Sequence, residues 1–149
     1  MKRNLLYLLP LLLMMLGAAC SPKSDNTPIP APLGTYKGTF KLLVKKGTTT
    51  AYDTVKKDSL LNIKIANPNT YAVTGDTATV HAGSKGLFQY DGYNSLIAFY
   101  DSTYKAGPQP KFHLVGTYRY AYNGTRLQFT RANALQDSIL FYDLYKTSN

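Results

Sequence analysis

Between Thr35 and Val44 the side chains alternate. Tyr36, Gly38, Phe40, Leu42 and Val44 share one parity, and Thr35, Lys37, Thr39, Lys41 and Leu43 the other. Successive side chains of a strand point to opposite faces, whereas a helix needs apolar residues three and four apart. A period of two with one polar face therefore dictates a half-buried strand. The same period returns from Phe112 through Leu114, Gly116, Tyr118 and Tyr120 to Tyr122. It stops at Asn123-Gly124 and resumes at Leu127 and Phe129, the pattern of a tight hairpin.

Other stretches fill in the same class. Val55, Leu61, Ile63 and Ile65 make a second strand, with Lys56, Asn62 and Lys64 on its outer side. Tyr71 and Val73 begin a third, while Thr77 to His81 and Gly86 to Tyr90 are short candidates around a glycine-containing turn. Leu96 to Tyr100 and Ile139 to Tyr145 are apolar on both faces, as strands covered on each side should be. Turns are marked by "NPN" at 67–69, Gly75-Asp76, "DGYN" at 91–94 and "AGPQP" at 106–110. The chain holds 13 tyrosines, and every acidic residue is aspartate. Tyrosine and threonine favour strands, and a helical protein would use glutamate freely. The expectation is an all-β domain of about eight strands, closing as an antiparallel up-and-down barrel. A two-sheet β-sandwich is the alternative.

The N-terminus follows different rules. Lys2 and Arg3 precede an uncharged run from Leu5 to Leu16, too short for a membrane span, which needs about 20 apolar residues. Gly17, Ala18 and Ala19 then lead to Cys20, the single cysteine of the chain. A signal peptide over 1–19 fits this order. The segment resembles the lipobox of bacterial lipoproteins, although Gly17 stands three positions before the cysteine where leucine is usual. That resemblance implies an acylated Cys20, carrying palmitate or a similar chain, and a place in the cell envelope at the outer membrane. Residues 20–32, rich in proline and without periodicity, read as the lipidated tether. Residues 33–149 then form one β-barrel domain, since 117 residues suffice for one domain and not two.

"GTYKGTF" at 34–40 and "FYDLYK" at 141–146 are similar to the lipocalin-like small barrels of Bacteroidota-type lipoproteins. The resemblance implies the fold alone, because lipocalins proper open with Gly-x-Trp and this chain has no tryptophan.

Charge and motif content narrow the function. Without Lys2 and Arg3 the chain carries 15 basic and 8 acidic residues, about +7. No nucleic-acid motif accompanies that excess. Lys37, Lys41, Lys56 and Lys64 are expected to form a solvated outer face, with contact to anionic lipid as the alternative. His81 and His113 read as surface histidines. They have no cluster of ligating partners, so neither a metal nor a cofactor is expected. Ser84 reads as a turn residue, no Gly-x-Ser-x-Gly elbow occurs, and no catalytic residues are assigned. The chain does not read as an enzyme.

Five of the eight aspartates open an Asp-Ser/Thr triplet, at 53, 58, 76, 101 and 137. This is similar to the O-glycosylation sequon of Bacteroidota-type exported proteins and implies Thr54, Ser59, Thr77, Ser102 and Ser138 as acceptors. Turn chemistry before a strand is the other explanation. "NGT" at 123–125 is better explained by its hairpin.

The candidate ligand-binding residues are Leu114, Tyr118, Tyr120 and Tyr122. Their aromatic rings with polar tips share one strand face, beside the space left by Gly116. A small apolar or aromatic ligand, held at or inside the barrel, is the first expectation. The plainer reading is that the rings fill the core. An exposed tyrosine face binding envelope glycan or a partner protein is a third.

Overall fold

The structure is a computed structural model, and it describes residues 27–75, 77–78, 80–105 and 110–148. The signal segment and Cys20 lie outside the described residues. Eight strands follow one another: β1 (Gly34–Lys45), β2 (Tyr52–Ala66), β3 (Thr70–Gly75), β4 (Ser84–Asp91), β5 (Leu96–Asp101), β6 (Gly116–Tyr122), β7 (Arg126–Ala132) and β8 (Ser138–Ser148). Each pairs antiparallel with its neighbour, and β8 returns to pair with β1, so the sheet closes on itself. The barrel is the arrangement adopted, and the sandwich is not.

Local chemistry accounts for the turns. Asn123 Oδ1 accepts hydrogen bonds from Thr125 N and Arg126 N, at 3.1 and 2.7 Å, which fixes the β6–β7 hairpin. Asp91 does the same for β4–β5, accepting from Tyr93 N at 3.0 Å and Asn94 N at 3.1 Å. Asx side chains offer the backbone such turns at little conformational cost.

The inward parity fills the barrel. Tyr36, Phe40, Leu61, Ile63, Phe88, Phe99, Tyr118, Phe129 and Tyr142 are all buried in one cluster. Phe129 stacks on Tyr142 with centroids 4.4 Å apart, and Phe99 meets Tyr118 edge-on at 5.9 Å. In such an interior each large ring contributes about 2–3 kcal/mol by leaving water. Gly38, also of inward parity, permits the tight approach of β8, because a Cβ there would run into Asp143 O. The β1–β2 register shifts between Gly38 and Phe40, where the strand bends.

Several expectations are corrected. Among the described residues of 77–81 there is no strand; His81 makes an isolated parallel bridge with Phe112. The strand read from Phe112 begins at Gly116, and Leu114 is buried from the preceding loop. The end of the stretch read as a tether is seated on the barrel: Ile29 packs against the core, and Ile29 N donates to Gly92 O at 3.1 Å.

The barrel has two distinct ends. The N-terminal segment and the β2–β3, β4–β5 and β6–β7 turns share one end, the tether end. The other, far end carries the β1–β2 hairpin, the β3–β4 and β5–β6 connections, and the β7–β8 loop.

Candidate binding site

The four candidate ligand residues do not converge. Leu114 and Tyr118 are buried, and Tyr118 packs edge-on against Phe129 at 5.5 Å and Tyr142 at 5.8 Å. Tyr120 is buried at the tether end, where its hydroxyl donates to Ile29 O at 3.2 Å. Tyr122 is half-buried; its hydroxyl donates to Gly124 O at 2.8 Å and its ring meets Tyr36 at 6.2 Å. These rings fill and close the barrel.

Below the β5–β6 connection lies a polar layer that the sequence did not disclose. His81, expected on the surface, is fully buried. Its Nδ1 sits 2.7 Å from Ala82 O, and its Nε2 2.8 Å from the Tyr142 hydroxyl. A carbonyl only accepts, so Nδ1 carries the proton, and in the neutral ring Nε2 accepts from Tyr142. The Tyr71 hydroxyl donates to Leu114 O at 2.6 Å. Ser84, expected in a turn, opens β4 and is buried. Its Oγ and the Tyr118 hydroxyl have no hydrogen-bond partner among the described residues. Tyr142 and the Val115 backbone both lie close enough to the Tyr118 hydroxyl to act on it electrostatically, but neither is joined to it by a bond of good geometry. Burial, and then the neighbouring Tyr118, push the Tyr142 phenol well above its ordinary value.

His113, the second expected surface histidine, is also largely covered. Its Nδ1 lies 2.7 Å from Asp101 Oδ2, with only 10% of the His113 side chain and none of the Asp101 side chain exposed. Tyr104 closes over it edge-on at 5.3 Å. A histidine oriented by a carboxylate is half of a nucleophile-activating device. The nearby Thr103 hydroxyl donates to Asp101 Oδ1 rather than serving as the missing third member. Among the described residues, no three of His, Cys, Asp and Glu gather as a metal site.

The outer wall offers a more open feature. β5 and β6 pair over four residues only, from Leu96↔Arg119 to Phe99↔Gly116, and then diverge. A cleft of about 550 Å³ lies at the divergence, lined by Leu87, Ala98, Tyr100, Val115, Gly116 and Thr117, with Asp101 and Ser102 at its edge. Leu87 and Tyr100, cross-strand partners, are both more than half exposed there. The Tyr100 hydroxyl donates to Gln89 Oε1 at 3.2 Å. Arg131 Nη1 donates to Val115 O at 2.5 Å and so holds the loop edge of the cleft. Ligand sites commonly span 300–1,000 Å³ and pair an apolar lining with a few polar groups. The signal for this site is parity: Leu87, Ala98 and Tyr100 are apolar on the outward face, where polar residues are the rule.

The lysines divide between the two ends. Lys37, Lys56 and Lys64 are exposed and Lys41 is half-buried. Lys37 and Lys64 stand toward the tether end. Lys41 lies over the Phe141 ring at 6.0 Å, and Lys56 over Phe112 at 5.6 Å, toward the far end. Among the glycosylation candidates, Thr54 and Ser102 are exposed, Thr77 and Ser138 are half-buried, and the Ser59 side chain lies outside the described residues. Ser102 Oγ donates to Lys85 O at 2.8 Å. Asp101 accepts from Thr103 N at 2.7 Å, so turn chemistry accounts for this triplet.

Comparison with known proteins found no matching family model, no matching curated protein and no matching solved structure.

Proposed function

We propose that this is a lipid-anchored, non-catalytic binding domain of the cell envelope, and that it holds its ligand on the outer wall at the β4–β5–β6 cleft. The observation that carries the reading is an apolar, concave, accessible surface beside an interior occupied by aromatic side chains. Leu87, Ala98 and Val115 offer a dry floor, Tyr100 a ring to stack on, and Thr117 and Ser102 hydroxyls for orientation. A small apolar or aromatic molecule fits that chemistry. The anchor is Cys20, and the family reading is a lipocalin-like barrel lipoprotein. O-glycosylation belongs to the same proposal; Thr54, exposed on β2, is its best-placed acceptor. An intact mass equal to the lipidated polypeptide would remove that part.

The cleft is tested with an apolar fluorescent probe, 1-anilinonaphthalene-8-sulfonate, on the native protein. Saturable binding is expected, lost in Ala98→Asp and kept in Tyr145→Ala, a change on an exposed strand outside the cleft. Equal binding by wild type and Ala98→Asp refutes the site. For the anchor, Cys20→Ala is expected to leave the membrane fraction.

A further inference from the structure

We propose that the tether end of the barrel rests on the lipid headgroup surface, with Tyr90 and Tyr93 as its interfacial contacts. The proposal builds on the lipid anchor at Cys20 and adds an orientation to it. The last part of the tether is bound to the barrel. Ile29 N donates to Gly92 O at 3.1 Å and Ile29 O accepts from the Tyr120 hydroxyl at 3.2 Å, so Ile29 is fixed from both sides. Gly92 is required for this contact, because a Cβ there would strike Ile29 O. Pro28 and Pro30 flank the contact with fixed φ angles, which reduces the freedom lost on seating.

This seating shortens the leash. Cys20 and Thr27 are seven residue steps apart in the sequence, a span of at most about 25 Å however the chain runs. β1 alone, with 12 residues, is about 40 Å long. An acyl chain at Cys20 therefore keeps the tether end within that distance of the membrane, while the barrel is long enough for the far end, with Lys45 and Lys46, to stand beyond it. The tether end is suited to such contact. Tyr93 is 76% exposed and Tyr90 45% exposed, and both line a hollow of about 600 Å³ shared with Pro28 and Ile29. Tyrosine, with an apolar ring and a polar tip, is enriched at membrane–water interfaces. Lys37 on β1 and Lys64 on β2 are exposed toward the same end of the barrel, where anionic headgroups would attract them. Asp91 at the same tip is occupied by Asn94, whose Nδ2 donates to its Oδ2 at 2.5 Å.

The chain has no tryptophan, so one can be introduced as a depth reporter. Full-length lipidated Tyr93→Trp and Tyr104→Trp variants, reporting the tether end and the far end, are bound to vesicles containing brominated phosphatidylcholine. Both should float with the vesicles. The Tyr93→Trp variant should lose most of its emission to the bromines, while Tyr104→Trp keeps the emission it has in solution. Flotation with neither variant quenched, or both quenched alike, overturns the orientation and leaves the anchor standing. Failure of both to float, with the fold intact, overturns the anchor and the orientation together.

Discussion

Replacing Tyr142 by phenylalanine and, separately, Tyr118 by phenylalanine should have opposite consequences, although the two rings touch. Both remove one hydroxyl from the same core and leave the ring packing in place. Tyr142 loses a hydrogen bond to His81, 2.8 Å long and fully buried. Buried polar pairs of this kind are worth about 1–2 kcal/mol, and roughly 4 °C of melting temperature accompanies each kcal/mol in a domain of this size. Tyr142→Phe should therefore melt about 4–8 °C lower. Among the described residues the Tyr118 hydroxyl makes no hydrogen bond of good geometry, although Tyr142 and the Val115 backbone lie close to it. Deleting it removes a desolvated polar group, so Tyr118→Phe should fall within about 0.5 kcal/mol of wild type or lie above it. Urea unfolding followed by circular dichroism, with unchanged m-values, measures both. Equal losses in the two variants would refute the assignment of the polar layer.

Burial pushes the phenols of Tyr36, Tyr71, Tyr118, Tyr120 and Tyr142 above their ordinary value. In the unfolded chain they ionise near pH 10, so their contribution to stability is complete below that pH and is lost as pH rises beyond it. Phenolate absorbance should show these five ionising after the exposed tyrosines; a single smooth titration of all tyrosines in folded protein would contradict this. Gly38→Ala puts a methyl against Asp143 O on β8 and should destabilise the domain by more than about 2 kcal/mol, read as a fall in urea midpoint. An unchanged midpoint would mean that the β1–β8 seam is looser than described.

The alternating strands were legible because period two is local: each side chain's face follows from its parity alone. Asn123-Gly124 and Asp91-Gly92 were legible as hairpin turns for the same reason, since the bonds that make them span three residues. Closure was less accessible. Pairing of Gly38 with Leu144 joins positions at opposite ends of the domain, and nothing within either segment distinguishes a barrel seam from a sandwich edge. Burial outside the strands was not legible at all. His81, Leu114 and Ile29 sit in irregular segments, where parity assigns no face, and tertiary contacts alone decide their environment. His81 in particular was misread because histidine is polar on average, and its two hydrogen bonds come from Ala82 and from Tyr142, 61 residues away.

The burial of these positions bears directly on where binding can occur. Tyr118 and Tyr120 lie on the expected inward face, but Phe129, Tyr142 and Ile29 occupy the space a ligand would have needed. An eight-stranded barrel is only just wide enough for its own side chains, so interior volume depends on keeping those side chains small. This chain does the reverse: Tyr36, Phe40, Phe88, Phe99, Tyr118, Phe129 and Tyr142 all point inward. Admitting a ligand among them would separate packed rings, at about 1 kcal/mol for each aromatic contact broken, before any gain from the new partner. The outer cleft requires no such opening. Its lining exists because β5 and β6 part after Phe99↔Gly116, and a ligand there adds contacts without removing any.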